Sequence, residues 1–307
     1  MIAPLPDAAP ANWVDRLAPP ALRPWLRLGR FDRPAGIWLL MLPGWQGIAL
    51  ASAAREQLPS PWLLIAFFLG AALMRAAGCA YNDIVDRDID AKVARTAARP
   101  IPAGEISVKQ AWAFVVGCSL VSLLILLTLG TTAIVLGVMS LGLVAGYPFM
   151  KRITWWPQAW LGLTFNWGAL LGYAAVTGIV EPPALLLYAA GIFWTLGYDT
   201  IYALQDIEDD ALAGVKSSAR RLGKGVRRGV LGFYVLTALL AASAAWSAAL
   251  GPITFTPIWV LFVVHLLAQV VLLKPDQPQH ALKLFKSNAW AGLILFVALA
   301  AGMLRNS

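Results

Sequence analysis

Apolar residues in this chain gather into long runs, each long enough to cross about 30 Å of hydrocarbon, which takes about 20 helical residues. Nine such runs are read, over 35–54, 62–82, 110–129, 131–148, 158–178, 183–203, 228–249, 254–273 and 287–304. The pattern predicts an all-α polytopic membrane protein: nine transmembrane helices around a central cavity, in one domain over 35–304. A cytoplasmic or interfacial segment over 1–34 precedes it. Within that segment, 21–33 sets Trp25, Leu26, Leu28 and Phe31 among four Arg residues, a composition suited to lying along the inner membrane face.

The polar positions between the runs test the count. Short cytoplasmic loops collect Lys and Arg, and with the N-terminus inside, 21 of the 24 basic residues fall on the inner side. An incorrect number of crossings would scramble that parity. The net charge of +8 is therefore explained as topology, and no nucleic-acid partner is needed.

Composition agrees. The 307 residues are 59% hydrophobic and 13% charged, with a mean hydropathy of +0.69; soluble proteins carry about 25% charged residues. The leader has prolines at Pro4, Pro6 and Pro10 and lacks a compact apolar segment with a small-residue cleavage site, so the first span is expected to anchor the mature chain. It contains no Ser but does contain Asp7, Asp15 and Asp32, unlike a transit peptide. This favours a bacterial inner membrane over the mitochondrial inner membrane. Cys79 and Cys118 fall within spans, without metal-site spacing, and are expected to be small core residues.

Nine of the 16 acidic residues sit in two clusters, NDIVDRDID (82–90) and DTIYALQDIEDD (199–210), each at the downstream end of an apolar run. At about 100° per residue, Asp83, Asp86 and Asp90 fall within roughly 60° of one another, with Asn82 at the edge of that face. Asp199, Asp206 and Asp210 fall within roughly 40°. Solvated helix ends would explain one such cluster. Two same-face stripes on the same side of a chain otherwise poor in acids instead point to Mg²⁺, which takes one or two carboxylates and completes its shell with water and phosphate oxygens.

Basic residues follow each stripe: Lys92, Arg95 and Arg99 after the first, Lys216, Arg220 and Arg221 after the second, with Lys151 and Arg152 after the fourth span. Topology accounts for part of them. The rest, beside acids that hold Mg²⁺, make a site for a diphosphate. Arg75 lies about two turns deeper than Asp83, on nearly the same face. A mid-span Arg costs at least about 2.5 kcal/mol and needs an anion or water. Two partners stay open: its own acid stripe, or the carboxylate of a second substrate. Among the aromatics, Tyr147, Phe149, Trp167, Phe193, Trp194, Tyr198 and Tyr202 lie near the acids and are candidates to line a cavity that stabilises a cation.

The blocks LMRAAGCAYNDIVDRDID, RTAARPIPAGEIS, YPFMKR, PQAWLGLTFNWG and YDTIYALQDIEDD followed by GVKSSA resemble the intramembrane aromatic prenyltransferases, from about Arg33 to Arg221. The likeness is strongest to the branch acting on 4-hydroxybenzoate in ubiquinone biosynthesis. It implies a nine-helix fold, Mg²⁺ as cofactor, and a polyprenyl diphosphate and 4-hydroxybenzoate as substrates, with membrane lipid around them and no obligate protein partner. Carried over by position, Asn82, Asp83, Asp86 and Asp90 match the first metal motif, and Asp199, Asp206 and Asp210 the second. Lys151 and Arg152 match a diphosphate-binding pair, and Arg75 the arginine for the aromatic acid. Lys92, Arg95, Arg99 and Lys216 are further diphosphate candidates. Asp199, deepest in its stripe, is the candidate for orienting the phenol or taking the ring proton. The rival expectations are another aromatic acceptor, homogentisate or a naphthoate, and a divalent-cation transporter. A transporter would need acids spread through the bilayer depth.

Overall fold

The computed structural model describes residues 12–91, 96–205, 207, 214 and 216–304. Among these there is no strand. Two short helices open the chain, α1 (Trp13–Leu17) and α2 (Arg23–Leu28), followed by α3 (Ala35–Ala54), α4 (Pro61–Asp90), α5 (Val108–Leu126), α6 (Thr131–Ile153), α7 (Pro157–Thr177) and α8 (Pro182–Tyr202). A single-turn α9 (Ser218–Leu222) then leads to α10 (Val226–Ser247), α11 (Pro252–Leu272) and α12 (Pro278–Ala301).

Each of the nine expected runs falls on a long helix: the run at 35–54 coincides with α3, most others agree with their helix to within three residues at each end, and α4, α6 and α12 reach well beyond the apolar stretch. Proline opens α4, α7, α8, α11 and α12, where its missing N–H has no helical partner to lose and its fixed φ suits the first turn. α5 instead begins with a capping box, the Ser107 side chain and Gln110 each satisfying the other's backbone N–H. Eight helices among the described residues are long and apolar enough to cross a membrane. The exception is α7, at the expected fifth run. Eleven of its 21 residues are buried, and it carries Gln158 and Asn166 on buried faces. A helix surrounded by protein has no need of an apolar surface all round.

Two compact units emerge, residues 1–38 with 68–128, and residues 39–67 with 129–307. In the first, Leu28 of α2 joins Ala80 and Ile84 of α4, Ala111 of α5, and Ile101 and Ile106 of the intervening loop in a buried cluster. Trp25 packs on Phe114 with ring centroids 5.8 Å apart. The segment expected along the membrane face thus turns Leu28 inward, while Leu22 stays exposed. Cys79 is buried as expected, and Cys118 is half-buried.

In the second unit, α8 packs against α7, α10 and α12, while α6 lies on α7 and α11 on α12. Apolar burial gains little between helices already in lipid, so close approach and polar pairing hold such bundles. The Trp194 Nε1 donates to Asn288 Oδ1 at 2.9 Å, Asn288 Nδ2 donates to Gln269 Oε1 at 3.1 Å, and Tyr234 OH donates to the same Gln269 oxygen at 2.7 Å. These bonds tie α8, α10, α11 and α12 together. Between α3 and α7, a Cβ on Gly47 would overlap the Ala169 carbonyl, and one on Gly172 would overlap the Gly44 carbonyl. Backbone cannot yield as a side chain can, so Gly172→Ala should cost about 1–3 kcal/mol. The expected result is a lowered melting temperature in detergent, with an unchanged melt counting against this helix contact.

Candidate active site

The first acid stripe runs down the end of α4, where Asp83, Asp86 and Asp90 are 0%, 1% and 6% exposed. Asn82 is half-buried beside them, whereas Asp88 points outward and pairs with exposed Arg87 at 3.4 Å. The helical periodicity thus sorted these carboxylates onto the correct faces. Burial of three acids in one stripe is costly without cations close by.

Two arginines supply part of that compensation. Arg30, in the turn after α2, donates from Nη2 to both Asp83 oxygens, at 2.7 and 2.8 Å. Arg99, in the loop after α4, donates from Nη1 to Asp83 Oδ1 at 3.1 Å and to Asp90 Oδ2 at 2.6 Å. Thr96 Oγ1 caps the same helix end by donating to the Asp90 carbonyl at 2.8 Å. Burial opposes the charge on Arg30, but the groups around it, Asp83 foremost and Asp32 among them, together outweigh burial and raise the guanidinium pKa above its ordinary value. The sequence pattern had marked Arg30 only as one of four arginines in an interfacial segment. Its sole local cue is the Gly29 before it: a Cβ there would meet the Phe31 ring and the Ala76 Cβ, so this turn closes tightly on α4.

Arg75 is half-buried on α4, and its guanidinium lies against Gly36 at the start of α3. A Cβ on Gly36 would fall 2.7 Å from Nε and 2.8 Å from Nη2. Glycine therefore leaves the space in which the planar fork sits.

In the second unit, Asp199 is half-buried near the end of α8. Its neighbour Thr200 shares a 2.6 Å hydrogen bond with Ser218, and the Ser218 N–H donates to Gln158 Oε1 at 3.0 Å. These bonds hold Ser218 against α7 and α8. Lys216 extends the same attachment to α6: its backbone N–H donates to the Lys151 carbonyl at 3.0 Å and its Nζ to the Ile153 carbonyl at 3.1 Å. The Lys216 ammonium, expected on the diphosphate, thus also serves a helix C-terminus, where a cation is favoured. Lys151 and Arg152 share that last turn of α6, with Arg152 exposed.

Of the other expected residues, Lys92, Arg95, Asp206 and Asp210 lie outside the described residues, as do Pro4, Pro6, Asp7 and Pro10 of the leader. Among the described residues, no three of His, Cys, Asp and Glu converge closely enough to hold a metal. The donors on α4 are all carboxylate or carboxamide oxygens, which fits Mg²⁺, and this ion takes only one or two carboxylates per site. Of the proposed cavity aromatics, Trp194 and Tyr198 are core residues, each 1% exposed and packed edge to face at 5.3 Å. Phe149 is 41% exposed, and Tyr202 lies on Phe285 at 4.6 Å.

Buried acids paired with arginines at the end of a long helix, in an all-helical fold with eight helices among the described residues long and apolar enough to cross a bilayer, are the frame of an integral membrane protein. Residues 40–302 match the UbiA prenyltransferase family, and the chain belongs to that family. The mitochondrial 4-hydroxybenzoate polyprenyltransferase of Bos taurus is 46% identical over 302 residues, covering 97% of this chain and 80% of that protein. Among solved structures, the apo UbiA homolog from Aeropyrum pernix superposes with a TM-score of 0.73 at 27% identity, covering 87% of this chain and 98% of its own. The UbiA homolog from Archaeoglobus fulgidus bound to GPP and Mg²⁺ gives a TM-score of 0.67 at 22% identity, covering 91% of this chain and 98% of its own, a likeness of fold.

Proposed function

We propose that this protein transfers a polyprenyl group from polyprenyl diphosphate to the 3-position of 4-hydroxybenzoate, in ubiquinone biosynthesis and with Mg²⁺ as cofactor. The observation that carries the reading is the 46% identity to a 4-hydroxybenzoate polyprenyltransferase over nearly the whole chain. The buried acid stripe and its arginines support it.

Asn82, Asp86 and Asp90 on α4, with Asp206 and Asp210, are the residues that would hold Mg²⁺; Asp83 belongs to the same stripe. Bound there, the ion would supply charge neutralisation that makes diphosphate a competent leaving group. Arg99, Lys151 and Arg152, with Lys92, Arg95 and Lys216, bind the diphosphate oxygens. Arg75 receives the carboxylate of the aromatic acid and so fixes which ring carbon faces the donor. Breaking the C–O bond of the prenyl diphosphate leaves an allylic cation that aromatic walls shelter from water. The ring carbon ortho to the hydroxyl then forms the new C–C bond, and Asp199 orients the phenol or accepts the departing ring proton.

The N-terminus and both acid clusters are placed on the inner side of the membrane, following the basic residues of the loops. The name of the bovine relative places that protein in the mitochondrion, which supports a mitochondrial inner membrane over a bacterial one. The test is to incubate purified protein with labelled 4-hydroxybenzoate, a series of prenyl diphosphates and Mg²⁺. A lipid-soluble product lost on adding EDTA is expected. Turnover of homogentisate or a naphthoate in preference to 4-hydroxybenzoate would overturn the acceptor assignment.

A further inference from the structure

Asp83 stands apart from the rest of its stripe. Its carboxylate is 0% exposed and accepts N–H groups from two guanidinium ions, at 2.7 and 2.8 Å from Arg30 and 3.1 Å from Arg99. A dication on those oxygens would lie beside two fixed positive charges, in surroundings that screen them poorly. The partners are also held from their own side. Arg30 adopts the left-handed conformation, with φ at 60°, which costs an L-residue energy and persists only where surrounding contacts impose it.

Both arginines lead to residues assigned to substrates. Arg99 spans Asp83 and Asp90 with one nitrogen, so Asp83 fixes where the rest of its fork is presented. Arg30 holds the turn that runs into α3, where Gly36 lies against the Arg75 guanidinium. One buried carboxylate thus anchors the diphosphate arginine directly and the acceptor arginine through six residues of chain.

We propose that Asp83 is a positioning residue rather than a metal ligand: paired with Arg30 and Arg99, it aligns the donor-binding arginine in the loop after α4 and the acceptor-binding arginine on α4. The proposal rests on the prenyl-transfer reading for the roles of Arg75 and Arg99, but its first measurement does not need turnover. Mn²⁺ binding to the full-length protein in lipid nanodiscs, followed by electron paramagnetic resonance, should be near the parent value in Asp83→Asn and strongly weakened in Asp86→Asn. In steady-state assays Asp83→Asn should raise KM for both substrates about 10-fold, the low end of what loss of an outer partner costs, with kcat little changed. Arg30→Gln, which leaves the Asp83 carboxylate in place, should reproduce the rise in KM for the aromatic acid and tests the same pairing if Asp83→Asn does not fold. Mn²⁺ binding weakened as much in Asp83→Asn as in Asp86→Asn would make Asp83 a ligand. Parent KM values in Arg30→Gln would break the link from Arg30 to Arg75. Should the parent protein leave 4-hydroxybenzoate unchanged, the prenyl-transfer reading fails, while the Mn²⁺ comparison still decides whether Asp83 is a ligand.

Discussion

Asp86→Asn is expected to lower turnover by about 10²–10³-fold, the scale on which losing one group that stabilises transition-state charge is felt, in a protein that still folds and inserts. Asp86 is 1% exposed at the centre of the α4 stripe, one turn before Asp90 and one after Asn82. The amide keeps the shape and one oxygen but removes the negative charge that draws a divalent ion. Asp206→Asn is expected to behave in the same way from the second stripe. The check is kcat at saturating Mg²⁺, together with an unchanged thermal melt. Full activity in either variant would remove that residue from the metal site.

Arg75→Ala is expected to raise KM for the aromatic acid by about 10- to 150-fold, equivalent to the 1.5–3 kcal/mol of a hydrogen bond to a charged group. KM for the prenyl diphosphate stays near the parent value. Arg75 lies about two turns up α4 from Asp83, at a depth where a guanidinium is costly without an anion. Lys in its place restores the charge but not the fork, so Arg75→Lys should recover only part of the affinity. If acceptor affinity survived in Arg75→Ala while diphosphate binding fell, Arg75 would belong to the donor.

Hydropathy located the helices because the bilayer imposes one length and one polarity on whatever crosses it. It missed by five residues or more only the C-termini of α4 and α6 and the N-terminus of α12. The run at 62–82 became a helix reaching Asp90, and the run at 287–304 became one beginning at Pro278, because apolarity marks the lipid-facing part and caps or prolines mark the helix. Pro148 interrupts nothing: α6 continues through it to Ile153, and so carries Lys151 and Arg152 on its last turn. The apolar run at 158–178 located α7 but not the partners of its buried polar residues: Gln158 accepts from the Ser218 N–H and Asn166 donates to Thr195 Oγ1.

The face of each first-stripe acid was readable from 3.6-residue periodicity, but the partners were not. Arg30 and Asp83 are 53 residues apart, and Arg99 and Asp83 are 16 apart; nothing in local spacing links them. Lys216 shows the converse. Its position after the acids suggested a ligand role, while its hydrogen bonds to the end of α6 arise from tertiary packing that no local pattern encodes.

We propose that both acid rows serve a single metal-borne diphosphate. Pulsed electron–nuclear double resonance on Mn²⁺-loaded protein in nanodiscs, with an unreactive prenyl thiodiphosphate bound, reads that contact through the ³¹P coupling. A ³¹P coupling characteristic of direct phosphate ligation is expected, and its loss in both Asp86→Asn and Asp206→Asn. A spectrum without ³¹P coupling, or one unchanged in either variant, would contradict that proposal.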